Sequence, residues 1–143
     1  MFVFDLCLLV RERAGELAPL AFDKSQEISI VGTDEILLYR GNETLLGEAV
    51  SNLIHNAIQH NEPESTISIS LSVNSDQREI VIAVSDQGRP FSSDEFNELT
   101  QPFRTSGSDQ TGSGLGLSIA KDIARMHRGS LETTATVTGK TIL

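Results

Sequence analysis

ETLLGEAVSNLIHNAIQHN, residues 43–61, carries a long helical pattern, and the other elements are placed around it. Leu45, Leu46, Ala49, Val50, Leu53, Ile54, Ala57 and Ile58 recur in pairs four apart. At about 100° per residue they sweep one broad apolar face of a single long helix. Asn52 and Asn56 lie four apart on one edge of that face, with Glu48 one turn before them. Asparagine is disfavoured inside a helix because its amide competes for backbone hydrogen bonds. Two of them beside an apolar stripe are either satisfied edge polars or amides aimed at something bound. The segments on either side bear on that choice.

Upstream, Phe2 to Phe4 reads as a short strand. Asp5 or a neighbour then caps a helix over Leu6 to Phe22, which Pro19 is expected to kink or end. Glu27 to Val31 alternates as a strand, Gly32-Thr33-Asp34 is a turn, and Glu35 to Tyr39 is a second strand. Gly41 and Asn42 break it, and Asn42 or Thr44 caps the long helix. Downstream, Thr66 to Val73 and Arg78 to Asp86 are antiparallel partners around the polar turn Asn74 to Gln77. The span 87–113 is polar and loop-like, with a short helix near Ser93 to Leu99. A loop of this length in a small domain is usually a lid or disordered. Leu115 to His127 is helical, Gly129 ends it, and Ser130 to Val137 with Lys140 to Leu143 form a closing hairpin around Gly139.

A chain of 143 residues suits one domain with an ordinary core. The net charge of −9 argues against sequence-independent binding to nucleic acid or to anionic membrane. One cysteine, Cys7, excludes an internal disulfide and any cysteine-cluster metal site, and reads as a small core residue in a reducing compartment. The start, MFVFDLCLLV, is too short and has the wrong flanks for a signal peptide or a membrane span. Both ends are expected to be cuts from a longer protein.

Three stretches carry chemistry. Ser85-Asp86-Gln87-Gly88 leaves a strand, where a carboxylate accepts from an exocyclic amine such as adenine's and Gly88 permits close backbone approach; an ordinary Asx turn is the plainer alternative. Gly112-Ser113-Gly114-Leu115-Gly116-Leu117 runs straight into a helix, a natural phosphate seat of exposed N–H groups. It is not a P-loop, a dinucleotide fingerprint or a protein-kinase glycine loop, because the flanking lysine, strand and catalytic signatures are absent. Pro102-Phe103-Arg104 places a lone large apolar group in the polar loop, an anchor for a lid or ordinary loop packing. Among the histidines, His55 points away from the apolar face, His60 shares the edge of Asn56, and His127 closes the last helix, where a cation suits the dipole.

The order of these parts, an Asn-x-x-x-Asn helix, Asp-x-Gly after a strand, a Phe-bearing lid, then GSGLGLSIAKDIARMHRGSL, resembles the ATP-binding catalytic domain of bacterial sensor histidine kinases. That domain belongs to the Bergerat superfamily, with gyrase, Hsp90 and MutL. The resemblance covers nearly the whole chain. It implies a two-layer α/β sandwich, with helices on one face of a mixed, mainly antiparallel sheet and an ATP lid between Asp86 and Gly116. Residues 1–143 would be one such domain, cut from its acceptor-helix and sensor domains. It implies ATP and Mg²⁺ as cofactors, with Asn56 as metal ligand and Asn52 its helper near the phosphates. Asp86 would hold the adenine amine, Gly88 would make room, His60 would flank the nucleotide and Phe103 would support the lid. The run Gly112, Ser113, Gly114, Leu115, Gly116 and Leu117 would line the phosphates.

The resemblance further implies transfer of the γ-phosphoryl group to a histidine on a separate dimerisation and phosphoacceptor domain, with a response regulator as indirect partner. The fragment would be monomeric, with little activity alone, and would be the cytoplasmic part of an inner-membrane sensor. Gyrase and Hsp90 relatives hydrolyse ATP with a glutamate where Asn52 stands; an amide takes no proton from water, so Asn52 favours transfer. Three positions depart from the family pattern: Pro90 stands at a usual glycine, Thr100 at a usual phenylalanine and Gln59 at a usual basic residue. They leave open a degenerate, non-catalytic docking module, beside an anti-sigma-factor-type serine kinase of the same fold.

Overall fold

Helix α1 (Leu6–Asp23) and helix α2 (Glu43–His60) each place an apolar stripe against a shared core, which is what their four-residue spacing requires. The computed structural model describes residues 2–32, 34–60, 63–74, 79–85, 116–134 and 139–142. The remaining described helix is α3 (Gly116–Met126). The strands are β1 (Phe2–Asp5), β2 (Glu27–Val31), β3 (Leu38–Gly41), β4 (Thr66–Asn74), β5 (Glu79–Ser85), β6 (Leu131–Thr134) and β7 (Gly139–Ile142).

Strands β1 and β3 form a small antiparallel sheet, and the larger sheet has the order β2-β4-β5-β7-β6. In it β2 runs parallel to β4 while the other neighbours are antiparallel, so the sheet is mixed and mainly antiparallel, as expected. Strand alternation sets its two faces. Ile67, Ile69 and Leu71 of β4, with Ile82 and Val84 of β5, are buried, whereas Ser68 and Ser72 are exposed. The buried face meets Val10, Val50, Leu53 and Ile54 from the helices. The result is one layer of helices on one layer of sheet.

Several expectations are corrected. Helix α1 does not end at Pro19 but continues to Asp23. Gly15, whose carbonyl the proline leaves without a donor, is exposed, so water can satisfy it. The strand expected at Glu35 to Tyr39 instead occupies Leu38–Gly41. Gly41 is therefore a strand residue, paired with Phe2, and not a breaker. Gly139 lies within β7 opposite Thr134, not at the hairpin turn. Helix α3 closes with Arg128, not a glycine, in the left-handed region at φ 61°, and the Gly129 N–H then donates to the Ala124 carbonyl at 2.8 Å. The short helix near Ser93 to Leu99 lies outside the described residues.

Caps follow the sequence more closely. The Asp5 carboxylate accepts from the Cys7 N–H at 3.0 Å and from the Leu37 N–H at 3.1 Å, so one side chain both starts α1 and anchors the approach to β3. The Asn42 side-chain oxygen accepts from the Leu45 N–H at 3.0 Å and starts α2.

Candidate functional site

The candidate site is framed by α2 and α3, and one histidine fixes how they meet. The His127 Nδ1 lies 2.8 Å from the Ile123 carbonyl, which can only accept, so Nδ1 carries the hydrogen. Its Nε2 accepts from the Asn42 backbone N–H at 3.1 Å. His127 thus has a capping role: it closes α3 and serves as an acceptor for an N–H that the start of α2 would otherwise leave bare.

The Tyr39 ring lies tilted against the His127 ring, 6.2 Å between centroids, and Phe4 meets Tyr39 edge-on at 6.1 Å. Gly41 gives the imidazole its room. A Cβ there would sit 2.7 Å from Tyr39 Cε2 and 2.9 Å from His127 Cδ2. Sequence reading missed this role of Gly41 and His127, because the partners are 85 positions apart and nothing local signals the pairing.

This bond ties the start of α2 to the end of α3, and the two helices pack together along their flanks, so they run antiparallel. The 11 residues of α3 span about 16 Å at roughly 1.5 Å each. Counting the same distance along α2 from Asn42 reaches the turn between Asn52 and Asn56. The start of α3 at Gly116, whose first N–H groups have no acceptor within the helix, is thus brought beside the Asn52–Asn56 stretch of α2.

Along that edge Asn52, Asn56 and His60 are all half-buried. The Asn56 Nδ2 is buried and has no hydrogen-bond partner among the described residues. Such an atom costs free energy unless something bound completes it. Leu117 is in the core, so anything it offers a ligand comes from its backbone. Asp86, Gly88, Phe103, Gly112, Ser113, Gly114 and Leu115 lie outside the described residues, as do Pro90 and Thr100.

Two groups away from this edge have shifted acidities. Burial pushes the Cys7 thiol up, with the Asp5 carboxylate adding to the effect, and burial pushes the Tyr39 hydroxyl up. Both stay neutral at ordinary pH and are structural.

Residues 41–143 match the family model described as histidine kinase-, DNA gyrase B-, and HSP90-like ATPase. The heme sensor protein HssS of Staphylococcus haemolyticus is 30% identical over 111 residues, covering 78% of this chain and 24% of its own length. The sensor protein CutS of Streptomyces coelicolor is 33% identical over 113 residues, covering 76% of this chain and 27% of its own. The chain thus spans about a quarter of the length of these curated relatives. In fold it is similar to the catalytic domain of histidine kinase ThkA, with a TM-score of 0.82 at 22% identity over 97% of this chain and 91% of that one.

Proposed function

The chain belongs to the histidine kinase-, DNA gyrase B- and HSP90-like ATPase family, and on that premise we propose that it binds ATP with Mg²⁺ and donates the γ-phosphoryl group to a histidine on another domain. The observation that carries this reading is the Asn56 Nδ2, buried on α2 and without a hydrogen-bond partner among the described residues.

An amide and a helix start are complementary partners for a metal–triphosphate. The helix start supplies N–H donors and a partial positive charge for phosphate oxygens. The two ends of an asparagine amide exchange by a half-turn, so the side chain of Asn56 offers either a donor to phosphate or a hard oxygen to Mg²⁺. Mg²⁺ favours one or two such protein oxygens, completed by phosphate and water. Asn52, one turn earlier, reaches the same end of the site. Mg²⁺ would neutralise charge on the β- and γ-phosphates. Asp86 selects adenine, and Gly88 leaves space for it. His60 would flank the nucleotide, Phe103 would support the lid, and the run 112–117 would line the phosphates.

Catalysis of this kind rests on positioning and charge, with little covalent work for the protein. Asn52 has no basic group for activating water, which favours transfer over hydrolysis. The acceptor would be a helical dimerisation domain of the same parent protein, with a response regulator downstream. The parent would be a membrane sensor with this domain on its cytoplasmic side. Among the described residues no helix is long and apolar enough to cross a membrane.

Mixing the chain with an acceptor-helix fragment of a related kinase and γ-labelled ATP tests the proposal. The expected result is label on the acceptor, with little turnover by the chain alone. Saturable nucleotide binding without transfer to any acceptor would favour a docking module, and rapid hydrolysis by the chain alone would contradict the role given to Asn52.

A further inference from the structure

Gln26 is one of two buried polar side chains among the described residues, and it is spent on the helix that carries Asn56. Its Nε2 donates to the Ile58 carbonyl at 3.2 Å, and the Lys24 ammonium donates to the same oxygen at 3.0 Å. Ile58 lies in the last turn of α2, where carbonyls have no intrahelical donor. Both donors come from the turn that ends α1. That turn is itself fixed: the Ser25 N–H donates to the Phe22 carbonyl at 2.9 Å and the Gln26 N–H to the Ala21 carbonyl at 2.9 Å, with Ser25 at φ 57°. The Lys24 carbonyl in turn accepts from the Glu64 N–H at 3.4 Å, beyond the end of α2.

We propose that Gln26 and Lys24 are positioning residues that fix the last turn of α2 and, through it, aim the Asn56 amide at the metal and phosphates. This rests on the function proposed above. Among the described residues the Asn56 Nδ2 has no partner, so its position is inherited from the backbone two residues before Ile58. Fixing the Ile58 carbonyl from outside the helix stops that turn fraying or tightening, as helix ends otherwise do. A buried glutamine is also a costly way to fill a core, unless its bond serves a purpose that an apolar residue would not.

The test compares the full chain with Lys24→Met, Lys24→Arg, Gln26→Met and Asn56→Ala. Affinity for a fluorescent ATP analogue is measured with and without Mg²⁺, and the Asn56 side-chain amide is followed by NMR without nucleotide. Lys24 is exposed, so Lys24→Met keeps the test open should Gln26→Met fold poorly. The expected result is a fall of about fivefold in the Mg²⁺-dependent gain of affinity for each methionine variant, the scale of one net hydrogen bond. Affinity without Mg²⁺ should change far less, Lys24→Arg should restore the gain, and the Asn56 amide signal should move in Lys24→Met. An unmoved amide signal, or a full Mg²⁺-dependent gain in both methionine variants while Asn56→Ala loses it, would overturn the positioning role and leave the proposed function standing. Absence of nucleotide binding by the unaltered chain would instead remove the function and this inference with it.

Discussion

Replacing Gly41 by alanine isolates the contact that sets α2 against α3. The new methyl would lie 2.7 Å from Tyr39 Cε2, 2.9 Å from His127 Cδ2 and 3.0 Å from His127 Nε2. Neither ring is the loose end of a flexible chain, because Tyr39 is backed by Phe4 and His127 is held by the Ile123 carbonyl. The imidazole must shift, and the Asn42 N–H loses its acceptor. An orphaned, part-buried donor costs about 1–3 kcal/mol, offset by about 0.4–1 kcal/mol from the stiffer unfolded chain. The net loss is about 1–2 kcal/mol, which for 143 residues lowers the melting temperature by about 3–7 °C.

Gly15→Ala is the matched control. Gly15 lies in α1 with nothing within 4 Å of the added methyl, so it should gain about 1 kcal/mol from helix propensity alone. Calorimetry and urea unfolding of both variants measure the difference in sign, and hydrogen exchange at the Asn42 amide reports the lost bond. A Gly41→Ala protein as stable as the unaltered chain, with that amide still protected, would show that the His127–Asn42 contact does not depend on the room Gly41 leaves.

Other outcomes follow from the same geometry. Ser25 and Arg128 hold left-handed backbone at φ 57° and 61°, so Ser25→Gly or Arg128→Gly should stabilise by up to about 1 kcal/mol, read as a higher urea midpoint at unchanged slope. Leu53 is wholly buried, and Leu53→Ala should cost about 2–5 kcal/mol in the same assay. Cys7 and Tyr39 are both held above their ordinary values of 9.0 and 10.0, so each favours the folded state fully below those values. That contribution is lost as pH rises past them, so stability should fall from about pH 9 upward, and the Cys7 thiol should resist a thiol reagent until the chain unfolds.

What was legible in the sequence was whatever repeats at short range. The paired apolar positions of α2 and the alternation of β4 each marked the span of their element to within a residue. Caps at Asp5 and Asn42 were readable because the capping side chain lies two or three positions from its donor. What escaped was long-range. The parallel pairing of β2 with β4, the joining of β1 to β3 and the His127–Asn42 bond depend on chain crossings that no local pattern records. The capping role of His127 was legible from its place at the helix end, but the Asn42 N–H it serves was not, being 85 positions away. On the candidate site, the asparagine edge was legible from its spacing. The clamp on Ile58 was not, because Lys24 and Gln26 sit in an ordinary turn more than thirty positions away.

In the proposed site the Asn56 amide and the start of α3 grip the phosphates of Mg²⁺-bound ATP while Asp86 reads the base. Calorimetric titration of the unaltered chain, Asn56→Ala and Asp86→Ala with ATP and Mg²⁺, each checked for folding by circular dichroism, decides whether they do. Saturable binding that weakens at least about tenfold in each variant, a loss of roughly 1.4 kcal/mol or more, is the predicted result. Equal affinity in all three folded proteins would contradict it.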